Sequence, residues 1–353
     1  MAAWKAAILN GFRVVLYTIT FVSSCGTHQT LSFPKNNNPV DKPGEGGGGK
    51  GCGSEKIATL SPTENTYQLY DGVETFVLFI GYPRSSHSLV GAILDAHPEI
   101  IIPHEYNLVG KWKSLSKTAA PNKYSLFHEL HSLSMSQANF GIRASKNNTR
   151  LTGEYTYTYH VPGLWQGRYQ QRIKVIGDKK GGKTSEIFAN NDSMETLEEI
   201  AEVVKLPMKF IHVTRNPFDN IATMTLRLAS QRNNVREEGI KLNNTRRLNL
   251  SINSYFKLAT ANQRVRERYG KAVIDIPGHE TVLRPRETIQ KLCEHLRVTC
   301  SDDYLDKCSN IMYGAPSVTR DKVIWTEEQK RRVMQKMKEF PFLRDYSFDV
   351  YPE

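Results

Sequence analysis

The stretch TFVLFIGYPRSSHSLVGAILDA, residues 75–96, combines an apolar strand, a short polar loop and an apolar helix. TFVLFI is a continuous apolar run of strand length, and LVGAILDA has apolar residues at helical spacing. Between them, Gly81 permits a tight exit from the strand, and the loop offers backbone N–H groups at a helix N-terminus. Arg84 and the hydroxyls of Ser85 and Ser88 add side-chain ligands for an anion. Alone, this unit is a weak signal, because many turns before helices look similar.

Strand-like and helix-like runs alternate from residue 73 onward, and this alternation indicates an α/β fold. The further predicted strands are EIII (99–102), RIKVI (172–176), MKFIHV (208–213) and KAVIDI (271–276). The predicted helices after residue 190 are SMETLEEIAEVV (193–204), NPFDNIATMTLRLASQ (216–231), RPRETIQKLCEHL (284–296) and TEEQKRRVMQKM (326–337). The pattern predicts one three-layer domain over residues 73–353, with a mostly parallel sheet flanked by helices.

The first 72 residues differ from this domain in composition. Residues 1–25 have a basic start, the short apolar run VVLYTITFV and small residues after it, as in a signal peptide. The apolar run is shorter than a typical membrane span, and both a cleaved signal peptide and a signal anchor stay open. Residues 26–72 are rich in Gly, Asn and Pro and predict a flexible stem. We therefore expect targeting to the secretory pathway, as a membrane-anchored luminal protein or as a secreted protein.

Charge and cysteine content restrict the function further. The net charge of +11 and the pI of about 9.3 favour an anionic ligand. Lys and Arg are spread along the chain, which does not favour a nucleic-acid-binding arm. No C-x-x-C occurs among the five cysteines, so a zinc site is not expected, and Cys300 can pair with either Cys308 or Cys293 in an oxidising lumen. Sequons, which give weak support for a glycoprotein, occur at Asn147, Asn191, Asn243 and Asn249.

Polar side chains follow each of the first four predicted strands. They are GYPRSSHS after the first strand, His104 and Glu105 after the second, Lys179 and Lys180 after the third, and Thr214 and Arg215 after the fourth. In an open parallel sheet, ligands bind at the carboxyl ends of the strands. If the strands are parallel, these residues form an anion site that contains a carboxylate base.

Two segments resemble the sulfotransferases that use PAPS (3′-phosphoadenosine 5′-phosphosulfate). GYPRSSHSL resembles their 5′-phosphosulfate loop, and VTRNPFDNIAT resembles their 3′-phosphate motif, with Arg215 and Thr223 eight residues apart. The run from Arg84 to Glu105 is especially similar to protein-tyrosine sulfotransferases of the Golgi type, and it aligns Glu105 with their catalytic Glu. The resemblance covers residues 76–227 well and implies a P-loop-like sulfotransferase fold.

The resemblance also implies a role for each site residue. The 5′-phosphosulfate would be held by Arg84, Ser85, Ser86, His87 and Ser88, and the 3′-phosphate by Arg215 and Thr223, with Ser317 and Arg320 as weaker candidates in a late loop that closes over the nucleotide. Glu105 would be the general base, and Lys179 would stabilise charge on the departing oxygen, with Lys180 and Lys183 as alternatives. PAPS would be the co-substrate, and no metal would be needed.

The donor loop departs from the family pattern at two positions. Ser86 stands where the family has Gly, and His87 stands where it has Thr or Ser. A residue other than Gly is strained if this position needs a positive φ. The imidazole N–H of His87 would then replace the lost hydroxyl.

A second reading starts from GDKKGGKT, Gly177–Thr184, which matches the Walker A pattern letter for letter. It would make the chain a P-loop NTPase or kinase. Against this, the octet follows the third predicted strand, and MKFIHV ends in Thr-Arg rather than in the Asp that would hold Mg²⁺. The glycine pair is expected to form a loop that presents lysines to the sulfate.

A third reading is a non-catalytic anion-binding secretory protein. If the chain is a sulfotransferase, its acceptor stays open among a glycan, a protein tyrosine and a small alcohol or phenol. The basic charge favours an acidic acceptor. A homodimer also stays open, and no nucleic-acid partner is expected.

Overall fold

The computed structural model describes residues 68–118, 122–141, 159–190, 194–230, 241–312 and 314–350. All of these fall within one compact unit, Ala58–Glu353. The predicted targeting segment and nearly all of the predicted stem lie outside the described residues. None of the helices in the described ranges is both long enough and apolar enough to span a membrane.

Five strands form a single parallel sheet, which confirms the predicted α/β fold. The strands are β1 Thr75–Gly81, β2 Ile100–Ile101, β3 Val175–Asp178, β4 Met208–Thr214 and β5 Val273–Pro277. Their order across the sheet is β2-β3-β1-β4-β5, and every neighbouring pair is parallel. β1 therefore lies at the centre, and the carboxyl ends of all five strands reach the same edge. β3 begins three residues later than RIKVI predicts, because its pairing with β1 starts at Val175 opposite Thr75.

Helices cover both faces of the sheet. The described helices are α1 His87–Asp95, α2 Leu108–Thr118, α3 Lys123–Asn139, α4 Gly181–Asn190, α5 Met194–Val204, α6 Pro217–Ser230, α7 Thr245–Tyr269, α8 Gly278–Leu283, α9 Pro285–Leu296, α10 Asp302–Asn310 and α11 Glu327–Met337. The five helices predicted from the sequence correspond to α1, α5, α6, α9 and α11. Thr326 caps α11 in a capping box with Gln329, as its Thr and Gln spacing favours.

The sequence did not predict the longest helix, α7. Its 25 residues bury polar side chains such as Ser251 and Asn262 beside Tyr255 and Phe256. These polar residues interrupt the apolar period that marks an amphipathic helix, so the helix has only a weak sequence signal.

Alternate residues of β1 enter opposite cores. Val77 and Phe79 belong to one hydrophobic cluster, whereas Phe76, Leu78 and Ile80 belong to the cluster on the other face. Burial on both faces explains why TFVLFI is continuously apolar rather than alternating.

The structure pairs Cys293 with Cys300, and Cys308 is free and buried. Arg297 follows α9 in the left-handed region (φ 59°) and turns the chain back, which brings the two Cα atoms to 6.1 Å. The alternative pairing of Cys300 with Cys308 is therefore not the one formed. Burial raises the pKa of the Cys308 thiol to about 12.

Candidate active site

The carboxyl edge of the sheet opens into a cavity of about 1130 Å³. The predicted site residues that line it are Arg84, Ser86, His87, Ser88, Glu105, Arg215, Thr223 and Ser317. Ser85, Lys179 and Arg320 are fully buried behind this lining. The predicted convergence of a phosphate-type loop, a carboxylate and an arginine on one rim is thus present.

The donor loop, residues 82–86, connects β1 to α1 and holds an unusual backbone conformation. The φ angles of Gly81, Arg84 and Ser86 are 144°, 72° and 71°. Ser86 has the positive φ that the sequence comparison suggested, and a left-handed conformation costs an L-residue about 1–2 kcal/mol. Ser86 is also the N-cap of α1 and makes no side-chain cap bond. The first turn of α1, at the cavity, is therefore not capped by Ser86.

Three consecutive carbonyl groups of the loop are held by donors from the surrounding structure. The Ser85 hydroxyl donates to the carbonyl of Tyr82 (2.9 Å). The Asn220 amide donates to the next carbonyl (2.8 Å), and the Arg215 guanidinium donates to the one after (3.2 Å). Ser85 therefore fixes the loop with its side chain instead of presenting its hydroxyl to the cavity.

Glu105 lies at the centre of a cluster of charged groups. Lys179 Nζ donates to Glu105 Oε1 (3.2 Å) and to Ser88 Oγ (3.0 Å), and Lys180 Nζ donates to Glu105 Oε2 (2.5 Å). His87 Nε2 is 3.9 Å from Glu105 Oε1. The structure brings the predicted base and the predicted sulfate lysine into direct contact.

The charges around Glu105 set its protonation state. Burial by itself would raise the pKa of Glu105, but the neighbouring His87 and the charges of Lys179 and Lys180 outweigh burial and hold the pKa well below its usual range. Burial lowers the pKa of His87, so this imidazole is neutral near pH 7. The net charge of Glu105 with its two lysines is therefore +1, which suits an anionic ligand.

Two residues that the sequence analysis missed hold the turn that carries Glu105. The Gln137 amide exchanges two 2.7 Å hydrogen bonds with the backbone of His104. The buried Asp178 carboxylate accepts the N–H groups of Tyr106 (3.0 Å) and Leu108 (2.8 Å). Burial raises the pKa of Asp178 to about 6. Because both partners come from distant segments, no local sequence pattern marks them.

The octet GDKKGGKT does not form a phosphate loop. β3 ends at Asp178 and α4 begins at Gly181, so only Lys179 and Lys180 connect them. A Walker A loop needs several residues between strand and helix to wrap a phosphate in backbone N–H groups. Lys183 Nζ instead lies 2.9 Å from the Glu186 carboxylate, and both residues line the cavity.

The glycine pair of the octet serves packing. Gly181 and Gly182 belong to the first turn of α4, so the prediction that they form a lysine-presenting loop is wrong. A Cβ on Gly182 would lie 2.8 Å from the backbone N of Pro83. The absent side chain lets α4 rest directly on the donor loop.

Arg215 joins the donor loop to the late loop, residues 315–319. Its guanidinium donates to the Thr223 hydroxyl (3.1 Å), to the Ser317 carbonyl (2.6 Å) and to the Thr319 hydroxyl (3.2 Å). Arg215 directly follows β4 and Thr223 lies two turns into the following helix, so their spacing of eight residues brings them into contact, as predicted.

Arg320 does not line the cavity. Its side chain is fully buried and pairs with Asp219, with NH2 2.6 Å from Oδ2. The prediction that it contacts phosphate is not supported by this position, because a guanidinium enclosed by protein acceptors does not face a ligand in the cavity.

A second lobe of the cavity was not predicted. Residues 277–282 and 342–350 supply its lining, including the rings of His279, Phe342 and Tyr346. The ring centroids of His279 and Tyr346 are 5.6 Å apart, and Glu280 and Asp345 place carboxylates at the same lobe. The two segments come from the end of β5 and from the C-terminus, so only tertiary folding brings them together.

A sequence model described as the Sulfotransferase family matches residues 77–302. No curated protein matches the chain significantly.

Several solved sulfotransferases have distantly similar structures. The sulfotransferase domain of a Synechococcus olefin synthase has a TM-score of 0.43 and 13% identity, covering 77% of this chain and 97% of its own. A Mycobacterium avium sulfotransferase has a TM-score of 0.42 and 12% identity, and the match covers 79% of this chain and 78% of its own. A mouse sulfotransferase complexed with PAP, which is PAPS without its sulfate, has a TM-score of 0.39 and 13% identity. The match covers 78% of this chain and 89% of the mouse protein. Similarity at this level carries no information on the reaction.

Proposed function

The chain belongs to the sulfotransferase family, and from this membership we propose that it transfers the sulfuryl group of PAPS to a hydroxyl acceptor, with Glu105 as general base. One observation carries the proposal: a carboxylate paired with Lys179 and Lys180 shares a cavity with Arg84 and Arg215. A base, two cations for a developing negative charge and two arginines for phosphates are the groups that this transfer needs.

The cavity has room and chemistry for a bisphosphorylated nucleotide. The donor loop, Arg84 and the N-terminus of α1 would hold the 5′-phosphosulfate. Arg215 and Thr223, which already contact each other, would hold the 3′-phosphate. The rings of Tyr346 and His279 line the same cavity, and the face of either ring would suit the purine.

In the transfer, the acceptor oxygen would form a bond to sulfur while the bond between sulfur and the phosphate oxygen breaks. The acceptor proton would pass to Glu105. Lys179, fully buried between Ser88 and Glu105, would stabilise the charge that develops on the departing phosphate oxygen from behind the cavity wall and not by contact. The reaction converts PAPS and an alcohol into PAP (PAPS without its sulfate), a sulfate ester and a proton.

The low pKa of Glu105 implies that donor binding prepares the base. With Lys179 and Lys180 both on its oxygens, Glu105 is a weak proton acceptor. A sulfate group at the loop would compete for both ammonium groups and raise the basicity of the carboxylate. Proton abstraction would then be coupled to the presence of the donor.

Polar residues in the cavity lining support a polar acceptor. His104, which directly precedes Glu105 in the chain, and Glu186 line the cavity that contains Glu105, together with the apolar Leu89. A hydroxyl on a polar molecule, such as a glycan, fits this lining better than an apolar alcohol does. Action in the Golgi lumen or after secretion, with an N-terminal membrane anchor in the first case, is part of this proposal. The composition of residues 1–25 supports entry into the secretory pathway, and the Golgi follows from the resemblance to Golgi-type sulfotransferases.

Calorimetry of the full chain in EDTA tests the donor assignment, with PAP as ligand and ATP as comparison. We expect micromolar PAP binding without metal and much weaker ATP binding. Turnover of PAPS with a panel of hydroxyl acceptors then tests Glu105→Gln, which should keep PAP binding and lower turnover by about 10²–10⁴. Metal-dependent ATP binding, or full activity of Glu105→Gln, would contradict the proposal.

A further inference from the structure

Arg320 makes a set of contacts that the proposed donor site does not explain. Its Nε and NH2 donate to the Asp219 carboxylate (3.1 and 2.6 Å). Its NH1 donates to the carbonyls of Ser347 (2.8 Å), Phe348 (2.6 Å) and Val350 (3.2 Å). One buried guanidinium thus joins α6 to the C-terminal strap, defined here as residues 345–350.

Asp219 connects the same pair to the late loop. It lies in the first turn of α6, one turn after Arg215. Its Oδ1 accepts the backbone N–H groups of Thr319 and Arg320, each at 2.8 Å. Its carbonyl accepts the hydroxyls of Thr319 (2.7 Å) and Thr223 (2.8 Å). The late loop is therefore attached to the helix that carries the proposed 3′-phosphate ligands.

Both attached segments line the cavity. Ser317 and Thr319 of the late loop and Ser347 and Val350 of the strap are part of its wall. Apart from Arg320, a second polar contact holds the strap at this point, the bond from the Asn216 amide to the Ser347 carbonyl (2.8 Å). Phe348 of the strap packs edge-on against the rings of Phe218 and Trp325 (centroids 5.0 and 6.1 Å apart), whereas Val350 is 67% exposed. The hydrogen bonds from Arg320 and Asn216 add to this packing and fix the backbone around Phe348.

We propose that Arg320, acting through Asp219, is a positioning residue that sets one wall of the nucleotide cavity and does not contact the phosphate. This inference rests on the proposed function, since the wall serves a nucleotide only if the chain binds PAP. A buried ion pair is weak evidence for stability, because desolvation offsets the attraction. The three carbonyl contacts to the strap indicate that the pair orients neighbouring segments.

The test compares two ligands, PAP and adenosine 5′-phosphate, which differ by the 3′-phosphate. Arg320→Lys in the full chain keeps the charge beside Asp219, but a single ammonium cannot reproduce the planar set of donors that reaches the strap. We expect the affinities for both ligands to fall by the same factor, about tenfold. Turnover at saturating PAPS should stay within about twofold, since the Glu105 cluster is untouched. Arg331→Lys, at an arginine with a 77% exposed side chain, is the matched control and should change neither affinity.

A direct phosphate contact would have a different signature. It would weaken PAP binding alone, so that the preference for PAP over adenosine 5′-phosphate collapses in Arg320→Lys, and this result would overturn the inference. Unchanged affinity for both ligands would also overturn it. The double variant Asp219→Asn/Arg320→Met removes both charges together and leaves no unpaired buried ion, so it provides the same comparison if Arg320→Lys does not fold. Failure of the unaltered chain to bind PAP would refute the proposed function itself, and the inference with it.

Discussion

Two strand-to-helix connections lie on neighbouring strands at the carboxyl edge of the sheet, and they differ in length. Five residues, 82–86, connect β1 to α1, whereas two residues, Lys179 and Lys180, connect β3 to α4. The first connection does not match the Walker A pattern, whereas the second lies within the octet Gly177–Thr184, which matches it completely. A cradle for a phosphate needs enough chain for several N–H groups to turn toward one point, and only the longer connection has it.

The two connections contribute different groups to one site. The longer one supplies backbone in left-handed conformations and Arg84, while the shorter one supplies two ammonium groups to Glu105. Gly182, just after the shorter connection, lets α4 contact Pro83 in the longer one. The octet thus supports the phosphate loop of its neighbour instead of forming its own.

The largest effect expected from this comparison is on turnover. Lys179→Met should lower the turnover of PAPS by about 10²–10³, because it removes the buried ammonium group from the departing oxygen. Lys183→Met should change turnover by less than about twofold, because its Nζ, although in the cavity wall, pairs with the half-exposed Glu186 and not with Glu105. Steady-state kinetics at saturating donor measure both. A larger loss in Lys183→Met would restore the octet as a nucleotide loop.

The next effect is on donor affinity. Arg84→Ala and Arg215→Ala should each weaken PAP binding by about 10- to 100-fold, since each removes a charged donor from a phosphate. Calorimetry measures the change, and Arg331→Ala is the exposed control. Equal losses in the control and in the site variants would show that overall positive charge, not these two positions, binds the nucleotide.

The packing of the two connections against each other gives a smaller effect. Gly182→Ala should lower the free energy of unfolding by about 1–3 kcal/mol, because its Cβ would overlap the backbone of Pro83. Gly181→Ala is the matched control, since its Cβ would meet Ile80 at an ordinary 3.4 Å. Gly181 is the first residue of α4, so its replacement should raise the free energy of unfolding by no more than the about 0.5–1 kcal/mol of a mid-helix change. Urea denaturation of both variants measures the difference, and equal midpoints would refute the proposed contact.

The smallest effect concerns strain in the longer connection. Ser86→Gly should raise the free energy of unfolding by up to about 1 kcal/mol, because Gly adopts a φ of 71° without the Cβ clash. Ser86→Ala keeps the Cβ and should give no gain. Thermal denaturation compares the three proteins, and equal gains in both variants would exclude strain relief as the cause.

Part of this site could be predicted because its residues lie directly after strands. Glu105, Lys179 and Arg215 each follow a strand within a few residues, so recognising parallel strands was enough to bring them to one edge. The continuous apolar run of β1 and the capped start of α11 were equally local signals. Each of these predictions depends on neighbours in the chain.

Other parts could not be predicted, because they depend on residues far apart in the sequence. Asp219 and Arg320 are 101 positions apart, and Gln137 reaches His104 across 33 positions. The sequence around Arg320 would read the same whether this arginine contacted a phosphate or a buried carboxylate. Only the path of the chain distinguishes the two.

The sequence by itself determined the parallel α/β sheet, the order of its strands along the chain and the identity of the charged groups at its edge, because apolar period and strand-to-residue spacing are local properties. Tertiary structure alone decided that Lys179 and Lys180 both contact Glu105, that the glycines of the octet are packing residues, and that the C-terminal strap forms a wall of the cavity. These outcomes depend on which surfaces meet. That is set by the burial of both faces of the sheet and by the hydrogen bonds that buried polar groups must find.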